Sequence, residues 1–383
     1  MITKISINNI NSIDNITLSF DKDKYKYLDT MIFNTNYVNP IAIYGTNGSG
    51  KTSLLFAIST LISLLTSDIN NLSPFTPNFI NVQKKIDDAL SKKQKINNFN
   101  KFYSQIKSSL EISFIVNDTI YSYYIETNNT AITKEYLKEK NKIVFNRYKN
   151  FYVFNKNKIN INESLYPTLR LLSNEGNKNK TINTVFEYLS NIAYIDASRK
   201  HYLINSFNKK TYLDVLVEYS PAVKKLLKKY KEFPIYLLEK QINELGQQSY
   251  FLNINKNDKD TFKLPIELMS AGMQNNSFLL STILSLPKNG TLILDELDQA
   301  LHPTTIHDFL NIVKEKNIQL IFTSHNTNLL QKLRPDQIFF AHWQEGFSTY
   351  KKLSNIYQNI REVNNIEKMY LSSMFDDSIK QHE

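Results

Sequence analysis

No cysteine occurs among the 383 residues, so disulfides, zinc–thiolate sites and thiol catalysis are all excluded. Glycine is scarce at eight residues, tryptophan occurs once, and only five of the 46 basic residues are arginines: Arg147, Arg170, Arg199, Arg334 and Arg361. Specific base readout favours arginine forks, so the formal net charge of +10 is a weak sign of nucleic acid. The longest apolar run, SLLFAISTLISLL from Ser53 to Leu65, has 13 residues. A membrane span needs roughly 20, and the first residues, MITKISINNINSID, carry no apolar signal segment. The expectation is a cytoplasmic protein with no membrane partner. A composition that is 42% hydrophobic, 12% aromatic and 21% charged is that of a folded chain, long enough for two to three domains or one with a large insertion.

Periodicity predicts a β-hairpin over 3–20 around Asn11-Ser12-Ile13-Asp14 and a buried strand at Pro40–Tyr44. A helix is predicted from Lys51 to about Leu65, followed by a polar, lysine-rich insertion. Segments 109–127 and 143–154 are rich in β-branched and aromatic residues, with Asn117-Asp118 as a turn, and predict an antiparallel β subdomain. The stretch 182–245 reads as mostly helical, broken by Pro221 and Pro234. A second β pair at 250–255 and 261–264 leads to a helix near Gln274–Leu286. Strand 291–294, a helix opened by Pro303 and strand 318–322 complete an alternation that predicts a parallel α/β core.

Between the strand at 40–44 and the helix at 51, the string GTNGSGKT spans Gly45, Thr46, Asn47, Gly48, Ser49, Gly50, Lys51 and Thr52, with Ser53 next. It matches the phosphate-loop pattern in its required strand-to-helix context. Glycines let successive backbone N–H groups turn towards phosphate oxygens, Lys51 reaches the β and γ phosphates, and Thr52 can ligate Mg²⁺. ATP and Mg²⁺ are therefore the expected ligands. TLILDELDQALHP places Asp295 and Glu296 at a strand end, where Asp295 is the candidate metal ligand and Glu296 the candidate base for an attacking water. Upstream, Ser270, Gly272 and Gln274 form a Ser-x-Gly-x-Gln turn, with Gly272 lying 23 positions before Asp295. Downstream, His325 ends a strand 30 residues after Asp295.

These elements, in this order, resemble the ABC-type ATPases. The resemblance implies a P-loop fold with a mixed or parallel core sheet, an antiparallel β subdomain and a helical insertion. It implies an ATP-sandwich dimer in which Ser270 and Gly272 of one copy touch the γ-phosphate held by Lys51 of the other. It further implies that His325 senses that phosphate and that Asp298 lies where the dimer interface is crossed. The corresponding division is an ATPase lobe at 1–170, with the polar insertion at about 66–100, a helical insertion at 171–250, a second lobe at 251–345 and a C-terminal tail at 346–383.

Asn47, DELDQALHP, TSHNTNLL and the tail from Arg334 resemble the ATPases grouped with SMC, RecF and overcoming-lysogenization-defect proteins. Within that group they resemble the short AAA-family ATPases of bacterial anti-phage systems such as PARIS and Septu. What this implies is a sensor or regulator of a separately encoded effector, a nuclease by preference, with DNA among the candidate partners. The signature reads MSAGMQ where transporters have LSGGQ, which argues against a transporter cassette. No long heptad run is present, and 58 residues follow His325, too few for an appended nuclease. A RecF-like DNA-maintenance ATPase and an ATP-locked scaffold are the alternatives. Gln105 is one candidate for the glutamine between the lobes. Arg199, in a Tyr-Ile-x-x-x-Arg element from Tyr194, is read either as facing phosphate or partner or as a structural ion pair. The lysines at 224, 225, 228, 229 and 231 form either a solvated helix face or a phosphate or partner surface.

Overall fold

The computed structural model describes residues 1–25, 36–66, 107–128, 131–161, 166–174, 179–208, 210–233, 236–257, 260–357, 360–361, 364–372 and 374–375. Apart from Thr66, the expected polar insertion lies outside them, as do Gln105 and Pro234.

Strands β1 (Ile2–Ile10) and β2 (Ile13–Ser19) form the predicted hairpin, with Ile10 opposite Ile13. β3 (Ile41–Tyr44), buried throughout, leads into α1 (Lys51–Thr66). β4 (Ser108–Val116) and β5 (Thr119–Thr127) turn at Asn117-Asp118, both in the left-handed region that Asn and Asp tolerate. The meander continues through β6 (Ile132–Glu139), β7 (Lys142–Tyr148), β8 (Phe151–Phe154) and β9 (Asn157–Asn160). All of these except β3 belong to one eight-stranded sheet, ordered β2-β1-β4-β5-β6-β7-β8-β9. The expected β subdomain is therefore continuous with the first hairpin, through Ile5 opposite Ile112.

Next come α2 (Thr168–Asn174), α3 (Lys180–Ser190), β10 (Ala193–Asp196), β11 (His201–Leu203), α4 (Tyr212–Glu218) and α5 (Ser220–Lys229). Pro221 opens α5 rather than breaking it, because the first helical turn needs no N–H donor there. β12 (Leu237–Ile242), β13 (Gln248–Asn257) and β14 (Asp260–Pro265) make a small antiparallel sheet. The rest comprises α6 (Ala271–Ser285), β15 (Thr291–Asp295), α7 (Leu297–Ala300), α8 (Ile306–Glu315), β16 (Gln319–Thr323), β17 (Ile338–Gln344), β18 (Phe347–Lys352), α9 (Leu353–Ile356) and α10 (Ile366–Leu371). Pro303 lies in the turn before α8, not at its first residue.

The core sheet has seven strands, ordered β11-β10-β15-β16-β3-β17-β18. Its five central strands run parallel and its two edges antiparallel. Parallel strands are buried on both faces. Accordingly Ile41, Ile43, Ile293 and Ile321 pack towards α1, α3 and the eight-stranded sheet, while Ala42, Tyr44, Leu292, Leu294 and Phe322 pack towards the helices of the opposite layer. Two expected segments differ from this arrangement. Residues 171–250 are helical only in part, since β10 runs inside the core sheet next to β15. The stretch expected as a tail supplies the edge strand β18, and Tyr370 and Phe375 stack on Phe340. A four-residue strand and a helix beyond the last motif carry too little periodicity to announce such pairings.

Candidate functional site at the carboxyl edge of the core sheet

Because β10, β15, β16, β3 and β17 are parallel, their carboxyl ends share one edge. β3 ends there in the glycine loop. Gly48 and Gly50 have φ of 78° and 99°, backbone that residues with a Cβ rarely adopt. A Cβ on Gly50 would also strike the Ser348 side chain of β18. The loop is held from behind by the hairpin turn and by β18. Ser348 N donates to Ser12 O at 2.7 Å, the two serine hydroxyls lie 2.7 Å apart, Ser12 Oγ donates to Ser53 Oγ at 2.9 Å, and Tyr350 Oη donates to Gly50 O at 2.5 Å. Ser12 is more than 300 positions from Ser348 and Tyr350 and no motif marks the three, so the sheet reveals their role.

Thr46, Asn47 and Gly48 form the exposed apex. Ser49 is buried, and among the described residues its hydroxyl has no hydrogen-bond partner. Lys51 is 7% exposed and donates from Nζ to the carbonyls of Gly45 at 2.9 Å and Thr46 at 3.0 Å. Burial lowers its pKa, opposed by the negative charges of Asp295, Glu296 and Asp298, which places these three carboxylates within electrostatic reach.

Asp295, 1% exposed, accepts from Thr323 Oγ1 at 2.5 Å and takes a further hydrogen bond from Thr52. Burial raises its pKa; those two hydrogen bonds pull it down, Asp196 pushes it up and Arg199 lowers it. Glu296 is left-handed, at φ 58° and ψ 64°, a costly conformation for a residue with a side chain. Its N–H donates to Thr323 Oγ1 at 2.7 Å, so one threonine hydroxyl holds both members of the acidic pair. Asp298 Oδ1 accepts from the His325 N–H at 2.9 Å, and the His325 side chain is exposed.

Asp196 was not marked by the motifs. It lies directly opposite Asp295 on the neighbouring strand and is itself buried. Its Oδ1 accepts from Ser198 Oγ and from Arg199 N, both at 2.9 Å, and Arg199 Nε is 3.7 Å from Oδ2. The Arg199 side chain remains 69% exposed beside the site. The Tyr-Ile-x-x-x-Arg element was the one available sequence signal, and it pointed to the arginine rather than the aspartate.

The glycine loop, Lys51, Thr52, Asp295, Glu296, Asp298 and His325 are thus brought together. Ser270, Gly272 and Gln274 stand apart from this network. Ser270 caps α6 through its own turn, accepting from Met273 N at 3.3 Å, and Gln274 Nε2 donates to Met269 O at 3.3 Å. Ser270 and Gly272 are exposed, and nothing lies within 4 Å of where a Gly272 Cβ would be. Among the described residues the His302 hydrogen bonds stay within its own turn, with Nδ1 2.9 Å from Thr304 Oγ1. The basic stripe is partly engaged within the chain: Lys229 and Lys225 lie 2.6 Å and 3.9 Å from the Glu315 carboxylate of α8.

The donor set suits a magnesium nucleotide. Among the described residues no group of three or more His, Asp or Glu side chains gathers to hold a metal. Mg²⁺ in nucleotide sites takes one or two protein oxygens and completes its shell with phosphate oxygens and water, which is what Thr52 and Asp295 can offer.

This edge has the residues and the strand-to-helix layout of a phosphate-loop nucleotide site. The AAA-family model described as "AAA domain, putative AbiEii toxin, Type IV TA system" matches residues 41–331, from β3 through the histidine loop, and the chain belongs to that family. No curated protein matches the chain significantly. Among solved structures, the SMC head domain from Thermotoga maritima is 13% identical, with a TM-score of 0.46, over 92% of this chain and 98% of that one. The SMC head bound to the C-terminal winged-helix domain of ScpA is 12% identical, with a TM-score of 0.48, over 92% and 99%. An SMC head with an extended coiled coil, bound to the C-terminal domain of ScpA derived from Pyrococcus furiosus, is 12% identical, with a TM-score of 0.46, over 93% and 98%. Among the described residues no helix is long and apolar enough to cross a membrane.

Proposed function

We propose that the chain hydrolyses ATP at this edge, in a dimer whose opening and closing regulates a separately encoded effector in anti-phage defence. The observation that carries the reading is the joining of Lys51, Thr52, Asp295 and Glu296 at one strand edge behind a braced glycine loop. Lys51 exchanges two loop carbonyls for β and γ phosphate oxygens, and the unpartnered Ser49 hydroxyl gains an acceptor. Thr52 and Asp295 would hold Mg²⁺, which supplies charge neutralisation between the phosphates. Glu296 orients a water towards the γ-phosphorus and takes its proton as the oxygen–phosphorus bond forms and the β–γ bridge breaks, leaving ADP and phosphate.

His325 faces the γ-phosphate. Asp298 fixes the backbone of that histidine and lies at the boundary with the second copy. Ser270 and Gly272, which are exposed, and the half-buried Gln274 are the surface that a second copy offers to the nucleotide of the first. The division into two ATPase lobes, 1–170 and 251–345, joined by 171–250, belongs to the same reading, with β10 shared into the core. The family description names a toxin–antitoxin class, which favours control of an effector over DNA maintenance.

Light scattering on the Glu296→Gln protein tests the geometry. Mass that doubles only with ATP and Mg²⁺, and no longer does so with Ser270→Arg added, is the expected result; a mass indifferent to nucleotide overturns it. For the defence role, the chain is expressed with its neighbouring gene and phage plating is scored. Equal protection by Lys51→Ala removes ATP from the mechanism.

A further inference from the structure

The eight-stranded sheet turns one face to the core through Leu110, Tyr123, Ile125, Leu137, Phe145 and Tyr152. Among the described residues its other face carries no packed layer over β5 to β8, and there rings and charged side chains stand side by side. Cross-strand pairing sets Glu126, Lys134, Tyr148 and Phe151 in one row, and Tyr124, Tyr136 and Asn146 in the next. Tyr124 and Tyr136 stack at 4.8 Å and 6°. Lys134 Nζ lies 5.6 Å and 6.0 Å from those two rings, Lys138 Nζ lies 4.6 Å from Tyr136, and Lys158 Nζ lies 4.1 Å from Phe151. An open cavity of about 550 Å³ lies in this face, lined by Lys107, Glu126, Lys134, Tyr148, Lys149 and Phe151 among others.

Charge decides the sign of the partner. Glu126 is already neutralised by Lys107 at 2.9 Å and accepts from Thr133 Oγ1 at 2.6 Å. Among the described residues Lys134, Lys138, Lys149 and Lys158 have no carboxylate partner. Tyr148 stands at the cavity wall 47% exposed, its ring 6.0 Å from Phe151. Ammonium groups without a carboxylate partner favour phosphate or another anion, and a half-exposed ring between them favours a flat apolar face. A single-stranded nucleic acid presents both on one chain; a duplex hides its base faces, and an acidic protein has no need of the ring.

We propose that this face binds single-stranded nucleic acid, with Lys134 and Lys149 on the phosphates and Tyr148 stacked on a base. The surface is built from strands remote from the glycine loop, so it stands or falls separately from the ATPase reading. Fluorescence anisotropy of labelled oligothymidylate with the full chain, without nucleotide, tests it. Binding is expected to weaken steeply with salt, and to weaken about tenfold or more in Lys134→Glu combined with Lys149→Glu. Tyr148→Ala is expected to weaken it by about tenfold, with Tyr148→Phe restoring it, as a stacking contact requires. ATP binding by the same variants checks that they fold. Affinity unchanged by these substitutions overturns the proposal. So does equal binding of a duplex of the same length with Tyr148→Ala silent, or binding of an acidic protein in place of the oligonucleotide.

Discussion

The start of α1 and the start of α6 are both helix N-termini preceded by small residues, and they are held in opposite ways. The first is braced from behind: Ser12 of the hairpin, Ser348 and Tyr350 of β18 and the carbonyls that take Lys51 hold the loop below its exposed apex. The second stands on its own turn, with Ser270 and Gln274 satisfied locally and Gly272 facing open space. A cradle for a highly charged ligand gains from rigidity, because its dipoles then need no reorganisation when the ligand arrives. A surface that meets a second copy must remain uncovered in the first. On the proposed reading, that difference leaves one chain completing only half of the site.

The sharpest test of that contrast removes chemistry without touching either surface. Glu296→Gln should lower kcat by about 10²–10⁴-fold while ATP affinity holds, measured by phosphate release and calorimetry; near-normal turnover would move the base elsewhere. Lys51→Ala should weaken ATP binding itself by about a hundredfold, since a buried charge-assisted contact to the phosphates is lost. Ser270→Arg should leave ATP affinity of the single chain within about threefold while abolishing nucleotide-dependent dimerisation, because the cap it removes from α6, worth about 1 kcal/mol, is not part of the glycine-loop network. If ATP affinity falls equally in both, the two helix starts are not separate half-sites.

Arg199→Ala should reduce kcat about tenfold with little change in KM, with Arg199→Lys recovering part, if the guanidinium held beside Asp196 stabilises charge in the transition state. A change confined to stability would make it a structural ion pair.

The smallest effect concerns the platform that leads into the Ser270 turn. Burial pushes the Asp214 carboxyl up, but hydrogen bonds from Lys240 at 2.6 Å, Tyr250 at 2.7 Å and Thr211 outweigh it and hold the pKa at about 2, below the ordinary 3.8. A depressed carboxylate contributes stability above its unfolded pKa and loses it as pH falls through the folded value. Asp214→Asn should therefore cost about 1 kcal/mol at neutral pH, discounted for solvent exposure, and that difference should vanish between pH 4 and pH 2 in urea unfolding.

Much of the edge was legible because its chemistry is local. GTNGSGKT follows four apolar residues and precedes a helical pattern, and DE ends another apolar strand, so residue type and context named Lys51, Thr52, Asp295 and Glu296. Asp196 was not legible, since its importance lies in standing opposite Asp295 across a parallel pairing of residues about a hundred positions apart. Thr323 was hidden for the same reason: its hydroxyl serves Asp295 and the Glu296 N–H from the next strand. β18 looked like tail because an edge strand of six residues shows its purpose only when Ser348 meets Ser12.

The sequence by itself determined the absence of thiol chemistry, the alternation of strand and helix, and the glycine loop with its strand-end acidic pair, because these depend on composition and on spacing along a few turns. Tertiary structure alone decided which carboxylate stands beside Asp295, what braces the glycine loop, and which face of the eight-stranded sheet gathers rings and lysines. Those outcomes depend on strand order and register, where a shift of one residue moves every side chain to the opposite face.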